Sequence, residues 1–226
     1  MTRQENYLGE LKSFFWENSQ SPEIFQLERL AHFAELVAAK NEEVNLISRR
    51  DIKNLIENHV FLSAYISRYI PERATNFIDI GTGGGFPGIP VGIMKPFLRG
   101  TLVDSTAKKI AAVQEFINKL KLGNLTAVHS RVEDKEFIEK HQDKFDLVLS
   151  RGTTSLIILM RYSLPIIKEK AHLMAIKGGD LREEIETAKL KYGAHIKKAT
   201  IIELGYKPNN VRNEKEKRLV VFEITR

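Results

Sequence analysis

The sequence predicts an α/β fold: a mainly parallel seven-stranded sheet with an antiparallel last strand, preceded by N-terminal helices. Three observations carry that prediction. From residue 76 onward, short apolar, β-branched runs alternate with helical stretches, the signature of a doubly wound parallel sheet. Ahead of them the apolar residues fall at helical spacing. At the end, "IKKATIIEL" (196–204) and "KRLVVFEITR" (217–226) are separated only by a polar, Lys-rich loop. Two strands without a crossover helix pair antiparallel. The other strands are expected at 76–81, 100–104, 125–130, 145–150 and 171–176, with helices over 105–122, 153–170 and 181–193. Residues 1–70 are expected as a helical extension packed on the core, and residues 71–226 as the α/β domain.

In the extension, Ile24, Leu27, Leu30, Ala31, Ala34 and Val37 form one apolar stripe, which predicts an amphipathic helix. Ser21 ahead of Pro22 reads as its N-cap with proline at the first helical position. A second helix is expected after Asp51 as cap, with Ile52, Leu55, Ile56, His59, Val60 and Leu62 inward and Pro71 as its end.

The 226 residues are 42% hydrophobic and 28% charged, ordinary for a globular chain. No apolar run reaches the length of a membrane span, and the start lacks a signal-peptide pattern. With no cysteine, disulfides, thiolate nucleophiles and cysteine-ligated metals are excluded, and a reducing, cytoplasmic setting is expected. The six histidines show no ligand spacing, so no metal is expected. The net charge is +6, with residues 1–70 at −2 and the remainder at +8. A basic body fits a polyanionic partner held through phosphate contacts.

The candidate site is "FIDIGTGGGFPGIP" (77–90). Glycines between a strand and a helix let the backbone approach a ligand closely. Gly83-x-Gly85-x-x-Gly88 fits a dinucleotide fingerprint. Asp79-x-Gly81-x-Gly83-x-Gly85 fits the acid-x-Gly-x-Gly-x-Gly pattern that resembles S-adenosylmethionine-dependent methyltransferases. The tight turn falls at Gly81, two residues ahead of the first fingerprint. Asp79 would repel a pyrophosphate but can face an ammonium. Pro87 and Pro90 remove N–H donors that a pyrophosphate would use. Asp104, ending the second strand, can accept ribose hydroxyls of either cofactor or cap the following helix.

If the cofactor is a methyl donor, pyrimidine C5 lacks its usual cysteine. The fourth strand ends in "SRGT" (150–153) rather than an Asn/Asp-Pro-Pro-aromatic run, and offers no acid for a lysine–carboxylate base. An acceptor already nucleophilic, such as guanine N7, needs none of these.

"DIGTGGGFPGIP", "LVDSTAKKIAAVQ", "LKLGNLTAVHSRVED", "FDLVLSRGTTSL" and "MAIKGGDLREEI" resemble the bacterial 16S rRNA guanine-N7 methyltransferase family, formerly called glucose-inhibited division protein B. The resemblance covers about residues 40 to 224. It implies a Rossmann-like class I methyltransferase fold, S-adenosylmethionine as donor, and N7 of guanine 527 in the 530 loop of 16S rRNA as acceptor. By motif position it implies that Gly81 and Phe86 line the methionine side, Asp104 the ribose, and Val132 and Glu133 the adenine; Asp79 and Gly83 of the glycine pattern are further candidate cofactor-binding residues. It also implies that Arg151 reaches toward cofactor and target base. Arg131, Lys177, Lys207, Arg212, Lys215, Lys217 and Arg218 are candidate RNA contacts. The sequence departs from the family at Gly152, where alanine is usual, and at Leu62, where an acid is usual. His59 is expected as a core or surface histidine. A monomer is expected. The alternatives are an NAD-dependent oxidoreductase and an RNA-binding module with a vestigial cofactor pocket.

Overall fold

Along β1 (Asn76–Ile80) successive side chains part to opposite faces of the sheet, as the two-residue period of a strand requires. Phe77 enters one buried cluster, and Ile78 and Ile80 enter the other. The computed structural model, which describes residues 2–48, 50–205 and 217–226, repeats this division through β2 (Arg99–Asp104), β3 (Leu125–His129), β4 (Phe145–Arg151), β5 (Ile167–Gly178), β6 (Ile196–Glu203) and β7 (Lys217–Thr225). The sheet order is β3-β2-β1-β4-β5-β7-β6. β1 to β5 run parallel, and β7 lies antiparallel between β5 and β6. Strand order reverses between β1 and β4, so a crevice opens at their carboxyl ends.

One face is covered by α1 (Arg3–Glu17), α2 (Ile24–Lys40), the helical segment 52–69, α4 (Gly88–Met94) and α5 (Ala107–Lys119). The other is covered by α6 (Lys135–His141), α7 (Leu156–Ser163) and α8 (Arg182–Tyr192). The N-terminal helices share a continuous apolar cluster with the sheet. Phe33 of α2 meets Phe86 at 5.0 Å and Phe116 of α5 at 5.8 Å, and Phe14 and Phe15 of α1 meet Phe61.

Four local expectations are corrected. The helix expected over 153–170 stops at Ser163, and β5 begins at Ile167 rather than 171. Pro165 has no N–H to continue the helix, and Lys168 within the early strand pairs with Asp146 at 2.7 Å. Ser21 does not cap α2. The helix starts at Ile24 with Glu23 as N-cap, whose N–H donates to Gln26 Oε1 at 3.1 Å. The Gln26 amide in turn donates to the Ile93 and Met94 carbonyls, anchoring this end of α2 on α4. Asp51 makes no capping bond; its carboxylate accepts from Ser48 Oγ instead. The helix after it is irregular: a 3-10 turn (Ile52–Asn54), a π-helical stretch (Leu55–Phe61), α3 (Leu62–Tyr65) and a second 3-10 turn (Ile66–Tyr69). Leu55, Ile56, Val60 and Leu62 are buried, while Ile52 and His59 are only partly so. The segment ends at Ile70, extended as a residue before proline must be.

Candidate functional site

The glycine loop is built mainly by its own backbone. The N–H groups of Gly81 and Thr82 both donate to Val103 O at 2.9 Å; those of Gly85 and Phe86 donate to Thr82 O; that of Ile89 donates to Gly85 O. The Gly83 N–H donates to Asp104 Oδ2 at 3.0 Å and the Gly88 N–H to Asp79 Oδ2 at 2.9 Å. Pro87 and Pro90 carry no N–H. Gly84 alone among the N–H carriers of 81–89 makes no such bond to a described residue. The loop therefore offers almost no free donors to an anion.

Three glycines of the loop, Gly81, Gly83 and Gly85, are left-handed, and the first two differ in what surrounds them. Gly81 has φ +71°, and a Cβ there would lie 2.4 Å from Thr153 Cγ2. Gly83 has φ +57°, and its added Cβ would meet nothing closer than Gly81 O at 4.0 Å. The first is closed by packing, while the second faces open space.

Asp79 is fully buried beneath the loop rather than at its surface. Its Oδ2 accepts from Thr82 Oγ1 at 2.6 Å as well as from Gly88, and its Oδ1 is buried without a hydrogen-bond partner. Burial pushes its pKa up to about 7, against the opposing pull of the Thr82 and Gly88 hydrogen bonds and the Arg151 charge. An orphaned carboxylate oxygen in this position fits a ligand that brings an ammonium group.

Beside the loop an open cleft is lined by Gly81, Asp104, Ser105, Ser130, Arg131, Val132, Glu133, Thr153, Thr154 and Tyr162. Asp104 Oδ1 accepts the Thr106 N–H at 2.9 Å, one residue before α5 begins. The Val132 side chain is buried. Glu133 accepts from Tyr162 Oη at 3.3 Å and pairs with Arg131 at 3.8 Å. No local pattern marks Tyr162, which sits in a helix of ordinary apolar periodicity, and sequence spacing did not reveal it. Nor did it mark Thr153, whose hydroxyl meets Ser150 Oγ at 2.6 Å and locks the β4 loop against Gly81.

Arg151 and Phe86 lie together, outside that cleft lining. The Arg151 guanidinium sits 5.6 Å over the Phe86 ring, donates to His59 Nδ1 at 2.7 Å and reaches Ser63 Oγ at 3.3 Å. Phe86 is buried, packed on Phe33 and on His59. His59 is therefore a partner of Arg151, which sequence spacing over 92 positions could not reveal. Burial, then the Arg151 and Lys217 charges, push its pKa down to about 2.

The candidate RNA contacts separate. Arg131 is exposed at the cleft rim. Lys177 is not: its ammonium donates to Thr154 O and Glu184 Oε1, and Glu184 Oε1 also accepts the Leu156 N–H. It braces the β4 loop against α8, with the side chain only 14% exposed. Lys217 donates to Asn58 Oδ1 at 3.0 Å, and burial followed by the Arg151 charge lowers its pKa to about 8. Arg218 donates to Gly179 O at 2.7 Å. Lys207, Arg212 and Lys215 lie outside the described residues.

Among solved structures, an O-methyltransferase from Bacillus cereus in complex with S-adenosylhomocysteine aligns over 99% of this chain and all of its own, with TM-score 0.61 and 13% identity. A S-adenosylmethionine-dependent methyltransferase from Aquifex aeolicus aligns over 80% of this chain and all of its own, with TM-score 0.56 and 16% identity. At those identities the likeness shows a shared fold. The protein named "Ribosomal RNA small subunit methyltransferase G" from Chlorobium luteolum is 43% identical over 170 residues, 75% of this chain and 69% of that one. Its namesake from Thermoanaerobacter pseudethanolicus is 36% identical over 74% of this chain and 70% of its own. The family model for rRNA small subunit methyltransferase G matches residues 26–211, a span holding both the glycine loop and Arg151, and the chain belongs to that family.

Proposed function

We propose that this protein transfers a methyl group from S-adenosylmethionine to N7 of a guanine in 16S rRNA, which the family resemblance identifies as guanine 527 of the 530 loop. The observation that carries the choice of cofactor is the loop's own hydrogen bonding. Its backbone donors are bound internally while the buried Asp79 Oδ1 lacks a donor. That arrangement disfavours a pyrophosphate, and with it the NAD-dependent alternative, and favours an ammonium-bearing ligand. Asp79 and Gly83 would hold the methionine side, Asp104 the ribose, and Val132 and Glu133 the adenine.

Bound there, S-adenosylmethionine supplies an electrophilic methyl group on a sulfonium. Guanine N7 carries an in-plane lone pair and loses no proton, so the chain needs no general base at the end of β4. Its task is positioning, by the Arg151, Phe86 and His59 group beside the loop. The basic body, with Arg131 at the cleft rim, would hold RNA phosphates. We take the N-terminal helices as an extension of the cofactor domain, the chain as a monomer, and its setting as the cytoplasm. Among the described residues no helix is long and apolar enough to cross a membrane.

The test is transfer of labelled methyl to small-subunit rRNA, naked and in the assembled particle, with the product nucleotide mapped by mass. Label at guanine N7 is expected; label elsewhere, or none in any assembly state, overturns the assignment. A thermal shift with S-adenosylhomocysteine and none with NAD is expected. Tight RNA binding with no cofactor-dependent stabilisation would instead favour a vestigial pocket.

A further inference from the structure

His59 lies in the π-helical stretch Leu55–Phe61 and packs edge-on against Phe86 at 5.5 Å. Such widened turns occur frequently at functional sites. Its Nδ1 accepts from Arg151 at 2.7 Å. A guanidinium can only donate, so this bond fixes the tautomer: Nδ1 is bare and Nε2 carries the proton. With its pKa driven far down by burial and two neighbouring cations, the imidazole stays neutral. The residue as a whole is intermediate in burial, and Nε2–H makes no hydrogen bond to a described residue. A neutral donor in a fixed direction thus stands beside the glycine loop and the end of β4.

The chemistry of the acceptor says what such a donor is good for. Along its N7 edge guanine presents two acceptors, N7 and O6, whereas adenine presents N7 and the N6 amino donor. An enzyme that methylates N7 must leave that lone pair free, so it can grip this edge only at O6. As the methyl arrives, N7 gains positive charge. A cationic donor at O6 would oppose that charge, and a neutral N–H would not.

We propose that His59 Nε2–H donates to O6 of the target purine and so selects guanine over adenine, with Arg151 as the positioning residue that holds the imidazole's tautomer and direction. This rests on the guanine-N7 reading above.

The experiment crosses a protein change with a base change. Wild type and His59→Phe are assayed on small-subunit rRNA carrying guanine or 2-aminopurine, which lacks O6, at the target position. Wild type is expected to lose about tenfold or more in kcat/KM on 2-aminopurine, and His59→Phe a similar factor on guanine. The two losses should not multiply in the doubly altered pair. The intrinsic nucleophilicity of the altered base affects both proteins alike and cancels in this comparison. S-adenosylhomocysteine affinity should be unchanged in His59→Phe, and hypoxanthine, which keeps O6, should be accepted nearly as well as guanine. Losses that multiply independently, or a hypoxanthine defect equal to that of 2-aminopurine, overturn the proposal. His59→Met serves the same cycle if the Phe variant does not melt cooperatively. If wild type places no methyl on N7 of the guanine substrate, the guanine-N7 reading fails; N7 methylation with independent losses refutes the His59 contact alone.

Discussion

The Asp104 carboxylate at the end of β2 accepts the N–H of Gly83 at 3.0 Å and so holds the open arch of the glycine loop from the side. Its second oxygen accepts the Thr106 N–H at 2.9 Å. A carboxylate has about four acceptor positions, so both bonds leave capacity for the ribose hydroxyls of the proposed cofactor. Asp104→Asn keeps one acceptor oxygen and turns an amide donor toward a backbone N–H. We expect a loss of about 1–3 kcal/mol in stability, read by urea unfolding. S-adenosylhomocysteine affinity measured by calorimetry should weaken about tenfold or more. Unchanged affinity would remove Asp104 from the cofactor site.

Asp79 should make both stability and cofactor binding depend on pH. An unfolded aspartate titrates near 3.8, whereas in the fold this carboxyl is pushed up to about 7. Between those values the folded protein holds a proton that the unfolded chain has released. Its contribution to stability is therefore full below about pH 3.8 and is lost as pH rises through about 7. A ligand ammonium favours the ionised form, so S-adenosylhomocysteine binding should release protons and tighten as pH rises through about 7. Calorimetry in buffers of different ionisation enthalpy reads the proton release. Asp79→Asn should flatten both dependences; an unaltered slope in that variant would assign the titration to another group.

Gly81 and Gly83 look alike in the motif but should fail differently. A left-handed conformation costs a non-glycine residue about 1–2 kcal/mol at either position. Gly81→Ala also drives its Cβ to 2.4 Å from Thr153 Cγ2, whose own hydroxyl is held by Ser150. Urea unfolding should therefore show a larger stability loss for Gly81→Ala than for Gly83→Ala. Gly83→Val projects into open space and should abolish S-adenosylhomocysteine binding in a protein that still folds. Wild-type affinity in that variant would mean the cofactor does not lie on Gly83.

The sheet was legible because its inner strands are short, largely apolar runs buried on both faces, and its glycine loop interrupts β1 at a definite residue. The early start of β5 was not, because Lys168, Glu169 and Lys170 read as a helical surface until Asp146 across the strand is seen to take Lys168. The loop was recognised as a ligand site from Asp79, Gly81 and Gly83, yet the depth of Asp79 was hidden. A strand-end acid reads as exposed unless one knows that Thr82 and Gly88 fold back over it. His59 and Tyr162 were illegible for a different reason: their partners Arg151 and Glu133 lie on other elements, and no local spacing encodes a contact across 92 or 29 positions.

Two basic residues near the cleft should separate RNA binding from folding. Arg131 is 67% exposed in its side chain, and Arg131→Ala should lower the salt dependence of RNA affinity by about one unit of log–log slope. Lys177→Met leaves Thr154 O and Glu184 without their ammonium and should cost about 1–3 kcal/mol in stability, with the salt slope unchanged. Filter binding from low to moderate salt, beside urea unfolding, measures both. A reduced slope for Lys177→Met would make it an RNA contact after all.

Arg151 should matter to turnover more than to cofactor affinity. Its guanidinium is bonded to His59 at 2.7 Å and Ser63 at 3.3 Å over the Phe86 ring, and it does not line the cleft beside Asp104. Arg151→Ala frees the imidazole to rotate. It also removes one of the two charges that depress the His59 pKa, but burial, the larger cause, remains. The ring therefore stays neutral, and what is lost is its direction. Single-turnover methyl transfer should fall about a hundredfold, as misplacement of positioning groups can cause, while S-adenosylhomocysteine binds within a few-fold of wild type. Arg151→Lys keeps the charge without the planar fork and should recover little of the rate. Equal losses in binding and turnover would instead make Arg151 a clamp on the cofactor.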